Sequence, residues 1–490
     1  MKKNILLSIL SGLFLSLSFS SFNLGLFAWW GLVPLLIALD NQSLRRAFFI
    51  AYFCGVVFWS LTVYWLIHVT LLGQIILILY LALYFSLFGA AFYFSRSLSS
   101  ASCLFFLPAS WVLLEYLRSH LFTGFPWALI GFSQYKNLPV IQIADLIGAW
   151  GVCFLIVLFN VVFYLSIRRR VSRRIILVCV LILLLVLGYG LFKLSLKANR
   201  ENQIPLRISV IQGNIPQNLK WDRRAIAFIQ NRYRELTLAA ALDKPALIIW
   251  PEAAVPGLFG RDDDEFIQVL SLAGQLKVNL LAGAVAYADG DYFNRALLIG
   301  PEGALVENYN KLHLVPFGEY IPLKNIFPFL ETIAPIGDIQ KGKEYTIFRQ
   351  PAPFGVLICF EDLFPELSRE FVKRGAKFLV NITNDAWYKE TGASYQHFAA
   401  SVFRSVENRV YLARAANTGI SGFIDPFGRI SGLVRNIQGK EIFVQGYSSQ
   451  NIYLVDGKPT LYNRYGDFFI VFCLLFNIGI VIYALKKRNR

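Results

Sequence analysis

Apolar residues fill most of the first 196 positions in runs of lipid-crossing length, and one more such run lies close to the C-terminus. The stretch between them has the short alternating patterns of a water-facing domain. A helix needs about 17–25 apolar residues to cross a bilayer. On that measure about eight spans are expected: Ile5–Ser20, Leu24–Leu39, Ala47–Val69, Leu72–Phe94, Ala101–Leu117, Ile147–Ile167, Ile175–Leu194 and Phe468–Leu485. The N-terminus has Lys2-Lys3 ahead of an apolar run, as a signal peptide does. It lacks a small-x-small cleavage site, and a second apolar run follows at once, so an uncleaved helix is expected.

The polar stretch reads as alternating strands and helices. Leu206–Gln212, Ala246–Trp250, Val278–Ala284, Arg295–Gly300, Phe354–Cys359 and Phe378–Thr383 are short, β-rich and apolar. Asp222–Ala241, Asp262–Leu276, Pro365–Arg374 and Ser394–Arg409 have helical spacing. The pattern predicts an α/β domain with helix-covered sheets. The expected organisation is a membrane domain of seven spans over 1–196, an extramembrane domain over 197–466, and a last span with a basic tail over 467–490.

Composition supports lipid as the solvent for much of the chain: 56% of residues are hydrophobic and the mean hydropathy is +0.52. The net charge of +16 would suggest nucleic acid, but its placement argues otherwise. Lys2, Lys3, Arg45, Arg46, Arg96, the Arg168–Arg174 cluster and the Lys486–Arg490 tail flank apolar runs, with only Asp40 against them. The basicity reads as topology, and no nucleic-acid partner is expected. The positive-inside rule puts both termini in the cytoplasm and the polar domain on the outer side.

Five of the six cysteines fall in apolar runs; Cys359 alone lies in the polar domain. A single thiol at a strand end, followed by an acidic residue, is a candidate nucleophile. Two other local sequences offer partners. Ile248-Ile-Trp-Pro-Glu252 ends an apolar strand on a proline and delivers a carboxylate. Tyr309-Asn-Lys311-Leu-His-Leu-Val-Pro-Phe-Gly-Glu319-Tyr320 brings a lysine, then a turn and a second carboxylate. A buried carboxylate can take the thiol proton, and a lysine can stabilise a thiolate or an oxyanion. Each residue alone also has a plainer reading: Cys359 as a small buried hydrophobe, Glu252 as a partner of a helix start, Lys311 as a loop cation.

Together these motifs resemble the nitrilase, or carbon-nitrogen hydrolase, superfamily. Gly124-Phe-Pro-Trp127, Gln212-Gly-Asn-Ile-Pro-Gln217 and Lys220-Trp-Asp222, set among the spans, narrow the resemblance to the bacterial apolipoprotein N-acyltransferases. The resemblance covers essentially the whole chain. It implies an α-β-β-α sandwich on the periplasmic side of the bacterial inner membrane, with Glu252 as base, Lys311 as oxyanion stabiliser and Cys359 as nucleophile. It also implicates Glu319, Phe360 and Glu361 near the centre, and Trp221 and Trp387 on lipid-facing parts. Family members often carry Tyr where Phe360 stands, so a role for that hydroxyl does not carry over.

The implied reaction moves an acyl chain from a phospholipid, typically phosphatidylethanolamine, through a Cys359 thioester to the α-amine of a diacylglyceryl-cysteine apolipoprotein. No cofactor and no metal are expected, and the working unit is expected to be a monomer. Two rivals remain: a membrane-anchored amidase that hands the thioester to water, and a non-catalytic scaffold that binds lipoproteins. The aromatic-rich stretch with Phe317, Tyr320, Ile321, Phe327, Phe329 and Leu330 is expected to form a lid at the bilayer surface.

Other patterns are decoys. Gly337 to Lys343 nearly matches a phosphate loop, but Glu344 replaces the hydroxyl residue. No Gly-x-Ser-x-Gly elbow and no zinc-ligand spacing occur. Asn381-Ile-Thr383 matches a glycosylation sequon on an apolar strand that buries it. Glu115 and Arg118, three apart near the end of the fifth span, are expected to pair with each other or to meet a substrate headgroup.

Overall fold

A computed structural model of the chain describes residues 2–19, 24–196, 205–321, 339–454 and 458–488. The chain forms two compact units. One comprises Met1–Lys197, Thr391–Phe403 and Thr460–Arg490; the other comprises Ala198–Glu390 and Arg404–Pro459.

The first unit is helical. Among the described residues, six helices are long and apolar enough to cross a membrane: Leu44–Thr62, Leu71–Ser95, Ser100–His120, Ala144–Ile167, Arg173–Ser195 and Phe468–Lys487. The first two expected spans give shorter pieces. Lys2–Leu17 is one helix of 16 residues. The second run breaks into a 3-10 turn, Gly25–Trp29, and a short helix, Val33–Leu39, entered through Pro34. Broken backbone in a bundle needs partners for its amides. Asn160 supplies them by accepting from Leu32 N (2.9 Å) and donating to Ala28 O (2.8 Å), while Gln134 donates to Gly25 O (2.7 Å).

Four of the long helices start on a hydroxyl cap, Ser43, Thr70, Ser99 and Ser172, each accepting from a backbone N–H one turn on. Such caps contribute about 1 kcal/mol each. Small residues set the helix contacts. A methyl added at Gly55 would come within 2.9 Å of Ala82 Cα, and one at Gly89 within 2.7 Å of Ala51 Cβ. The face Ala47, Ala51, Gly55 therefore lets Leu44–Thr62 lie against Leu71–Ser95, as small-residue stripes do in lipid. Within the same unit Gln396 accepts from the Trp127 indole (2.6 Å) and the Trp65 indole (3.2 Å) and donates to Thr62 O (3.0 Å). Those three bonds fasten the Thr391–Phe403 segment to the bundle. Glu115 and Arg118 are both buried, 3.9 Å apart. Arg118 also donates to Phe125 O and Trp127 O, and Glu115 accepts from Ile130 N.

The second unit is an α-β-β-α sandwich, as the resemblance implies, and has the helix-covered sheets that the sequence pattern predicts. Its strands are β1 (Pro205–Gln212), β2 (Leu247–Ile249), β3 (Leu258–Phe259), β4 (Asn279–Ala288), β5 (Asp291–Ile299), β6 (Leu305–Asn310), β7 (Phe354–Ile358), β8 (Phe378–Thr383), β9 (Tyr411–Ala416), β10 (Gly422–Ile424), β11 (Ile430–Ser431) and β12 (Gly446–Tyr453). One sheet runs β12-β1-β2-β4-β5-β6, with β3 added beside β4; the other runs β11-β10-β9-β8-β7. The sheets face each other through β1 against β9 and β5 against β7. Helices Ile226–Ala241 and Asp263–Leu276 cover the first sheet through Ile229, Tyr233, Phe266 and Val269. Pro365–Lys373 covers the second, where Gly355 leaves room for Phe371.

Each sheet contains a parallel block: β1, β2 and β4 in one, and β7, β8 and β9 in the other. Buried on both faces, these strands read as continuous apolar runs. Their C-terminal ends gather at one edge, where loops after parallel strands build sites.

Candidate active site

Three strand ends deliver the three predicted groups. Glu252 follows β2. Trp250 N still donates to Leu281 O (2.8 Å), Pro251 then ends the ladder, and Glu252 turns inward. Ala253 takes a left-handed conformation (φ +47°), and Ala254 N returns to Gly283 O (2.8 Å). Lys311 follows β6 and is pinned by its own N–H to Asn294 O (2.9 Å). Cys359 follows β7 at φ +56° and opens a 3-10 turn, Cys359–Leu363. A non-glycine residue in that region costs about 1–3 kcal/mol, which surrounding bonds must hold. Asn381 does so by donating from Nδ2 to Cys359 O (2.9 Å) and Leu357 O (3.1 Å). Buried Arg414 orients Asn381 from behind and also meets Asp362 (2.8 Å).

The charged groups converge. Lys311 Nζ lies 2.9 Å from Glu319 Oε2 and 3.7 Å from Glu252 Oε1, and the lysine is almost fully buried. Asn294 Nδ2 bridges the two carboxylates, donating to Glu252 Oε1 (2.7 Å) and Glu319 Oε1 (2.8 Å). The second oxygen of Glu252 accepts from Asn384 N (2.9 Å), and that of Glu319 from Val315 N (2.8 Å). Both carboxylates are thus held as acceptors, with their orientation fixed. The Phe360 ring stands 5.4 Å from Lys311 Nζ and closes that side with an aromatic face.

The electrostatics follow from burial. Burial alone would push the Lys311 ammonium down, but Glu319 and Glu252 outweigh it and hold its pKa above the ordinary value. Burial pushes the Cys359 thiol well up. Glu252 adds to that, while Lys311 and a bond from Thr383 oppose it. The resting sulfur is therefore a thiol in the field of the Glu252 carboxylate and the Lys311 ammonium.

Glu361 does not face outward with these groups. It is fully buried, and it accepts from Ile358 N (2.8 Å), Leu312 N (2.6 Å), His313 N (2.9 Å) and the Tyr309 hydroxyl. One carboxylate thus ties the backbone beside Lys311 to the backbone beside Cys359. Burial pushes its pKa up to about 7 against those donors. Trp221 and Trp387 are both about half exposed, Trp221 after the turn Gln217–Leu219 and Trp387 within the turn Asp385–Tyr388. Of the expected lid, Phe327, Phe329 and Leu330 lie outside the described residues. Phe317 is exposed, and Ile321 is buried.

Sequence reasoning missed Asn294, Asn381, Asn384 and Lys220. Asn294 and Asn381 are polar interruptions in apolar strands, which is the signal that marks them. Asn381 stands in a sequon that its apolar strand was expected to bury, and it is fully buried in β8. Tyr388 was also missed. Burial first, then Cys359, Asp385, Glu252 and Glu319, push its phenol well up, which places it in the field of the same cluster.

Comparison with known proteins finds relatives of this chain. The family model described as apolipoprotein N-acyltransferase N-terminal domain matches residues 11–162, and that described as carbon-nitrogen hydrolase matches residues 207–445. An apolipoprotein N-acyltransferase of Geobacter metallireducens is 37% identical over 517 aligned residues, covering 100% of this chain and 96% of that protein. One from Chlorobaculum tepidum is 30% identical over 473 residues, covering 88% of each. A solved amidase from Nesterenkonia sp. aligns with a TM-score of 0.40 at 16% identity, over 55% of this chain and 96% of its own.

Proposed function

The chain belongs to the apolipoprotein N-acyltransferase family, and we propose that its acyl transfer in lipoprotein maturation runs through a thioester on Cys359. Glu252 takes the thiol proton as Sγ attacks the ester carbonyl of a phospholipid, phosphatidylethanolamine being the expected donor. The carbonyl oxygen becomes an oxyanion facing the Lys311 ammonium and the Phe360 N–H. As the C–O bond breaks, the proton on Glu252 passes to the leaving glycerol oxygen, and lysophospholipid departs. The α-amine of a diacylglyceryl-cysteine then attacks the thioester. Its proton goes to Glu252, the C–S bond breaks, and Sγ recovers the proton.

One observation carries this reading: a neutral, buried thiol lies in the field of one carboxylate and one permanently charged lysine, both already oriented. A thiol at that pKa needs its base at the moment of attack, and Glu252 is held ready for it. Glu319 keeps Lys311 protonated, so the lysine acts by charge rather than by giving up a proton. A thioester keeps the acyl group reactive towards an amine, which splits one hard step into two. Trp221 and Trp387, exposed on the same unit, suit contact with acyl chains. The enzyme is read as a monomer of the inner membrane, with the second unit in the periplasm.

Mass spectrometry of protein incubated with phospholipid tests the proposal. An acyl mass on the Cys359 peptide is expected; Cys359→Ser should lack the thioester, and Lys311→Met should form it at least ~100-fold more slowly. Added diacylated lipopeptide should discharge the label into peptide amide. Discharge into free fatty acid instead would identify a hydrolase, and no adduct at all would leave a scaffold.

A further inference from the structure

The Gln217–Lys220 turn carries contacts that the acyl-transfer chemistry above does not use. Lys220 is buried, with 7% of its surface exposed, and its Nζ donates to Glu252 O (3.0 Å) and Ala253 O (3.1 Å). Those are the carbonyls of the base itself and of the left-handed residue after it. At the other end of the turn, Gln217 Oε1 accepts from Asn384 Nδ2 (2.8 Å), and the N–H of that same Asn384 bonds to Glu252 Oε2. Asn417 closes the frame by exchanging bonds with Ile215 and donating to Asn384 Oδ1 (3.0 Å). One short turn thus grips Glu252 from both sides, by its backbone and by its carboxylate. The residue after Lys220 is the exposed Trp221.

We propose that Lys220 is a positioning residue for the acyl transfer, whose ammonium holds the Pro251–Ala253 turn so that Glu252 faces Cys359 and couples that turn to the Trp221 segment. The inference rests on Glu252 being the base. Lys220 touches no reacting atom and acts through the geometry of Glu252. A buried ammonium is a demanding choice for this task, since a lysine out of water favours its neutral form. Burial pushes Lys220 down to about 8, with Glu252 and Cys359 holding it up. The Tyr233 phenol borders the same small cavity, together with Ile215, Ile229, Ala253, Ala254 and Pro256. That phenol and the Cys359 thiol both ionise well above their ordinary values, so neither competes for the proton near pH 8. The ammonium is therefore present below about pH 8 and is lost above it. A neutral amine keeps two donors, but loses the charge that draws both carbonyls inward.

The full-length enzyme is assayed for the single-turnover rate of Cys359 acylation at saturating phospholipid, from pH 6 to 10, for wild type, Lys220→Met and Lys220→Arg. Lys220→Met should slow acylation at least ~30-fold at pH 7, with little change in the phospholipid concentration giving half the maximal rate. Lys220→Arg should recover most of the rate and move the alkaline decline, expected near pH 8 in wild type, upward by at least one unit, because a guanidinium does not deprotonate in that range. A role confined to fold stability predicts no movement of that decline. Acylation of Lys220→Met at the wild-type rate would overturn the proposal, as would an alkaline limb unmoved in an active Lys220→Arg. If Lys220→Met does not fold, the limb in Lys220→Arg decides alone. Glu252→Gln, assayed alongside, separates the two readings. If it acylates normally, the base assignment fails. If it is inactive while Lys220→Met is normal, only the role of Lys220 fails.

Discussion

A buried thiol facing a carboxylate gives opposite answers to two chemical probes when the carboxylate is neutralised. Glu252 raises the Cys359 pKa, so Glu252→Gln lowers it and enlarges the thiolate fraction at any fixed pH near 8. Alkylation by iodoacetamide, which needs only thiolate, should then quicken by about 10-fold. Acylation by phospholipid, which needs the base in the transition state, should fall by about 10²–10⁴-fold. Both rates slowing together would mean that Glu252 holds the pocket open rather than moving a proton. Glu361 supplies a pH test. Its folded pKa of about 7 lies above the ordinary 4.5, so the fold binds its proton more tightly than the unfolded chain does. Its stabilising contribution is full below about pH 4.5 and is lost as pH rises towards 7. The melting temperature of Glu361→Gln, which does not titrate, should therefore gain on wild type across that window and run parallel to it above pH 8. The carboxylate of Glu252, the Lys311 ammonium and the Cys359 thiol were legible in the sequence because each sits in a local pattern at a strand end. The amides of Asn294 and Asn384 were not, because their value comes from bridging residues 42 and 132 positions away. No local pattern records such pairings.

Strand ends set where the groups go, and the closeness of neighbouring strands sets how well they hold. Gly283, on β4, lies directly beneath the turn that carries Glu252. A methyl group there would come within 2.5 Å of Pro251 O and 2.6 Å of Glu252 Cα. Both contacts are backbone, so neither can swing aside. Gly283→Ala should displace the base by several tenths of an ångström and slow Cys359 acylation at least ~10-fold. Gly375→Ala marks the contrast, since nothing lies within 4 Å of a methyl there, although its φ of +107° strains the backbone. That variant should lose some thermal stability and keep its acylation rate. Equal loss of rate in both variants would show that the effect is general softening of the sheets. The parallel strands β1, β2, β4, β7 and β8 were readable as apolar runs, and the two long helices over the first sheet as periodic ones. Strands β3, β6, β9, β10, β11 and β12 escaped sequence reading. β12 is largely polar, with Ser448 to Asn451 in its middle, because it edges the first sheet, paired to β1 alone, and β3, β10 and β11 are too short to show a period. The second apolar run was read as one span. Gly25, Gly31 and Pro34 break it, and Asn160, far along the chain, makes the break tolerable.

The distribution of charge over the whole chain bears on how it lies in its membrane. Basic residues collect at one set of helix ends: Arg45 and Arg46 at the start of Leu44–Thr62, Arg96 at the end of Leu71–Ser95, Arg168 to Arg174 from the end of Ala144–Ile167 to the start of Arg173–Ser195, and the Lys486–Arg490 tail. Asp40 receives Arg168 (2.9 Å) and Arg170 (3.5 Å), so the ends near residues 40 and 170 share one side. The opposite ends carry His68, Thr70, His120, Lys136 and Asp467, and Lys193 there is offset by Asp145 (3.3 Å). Insertion keeps clustered Lys and Arg in the cytoplasm, because moving each of them across the bilayer opposes both the membrane potential and the cost of dehydration. Under the proposed topology, the unit that follows Arg173–Ser195 in sequence lies on the outer side, where lipid donor and lipoprotein amine are both expected. Single cysteines placed by substitution at Ile437, fully exposed on the catalytic unit, and at Ser97, beside Arg96, test this in a background without the native thiols. A membrane-impermeant maleimide added to intact spheroplasts should label position 437 at once and position 97 only after lysis. Labelling in the reverse order would put the thiol, its base and its lysine on the cytoplasmic side, away from the outer-leaflet substrates, and the proposed reaction would lose its setting.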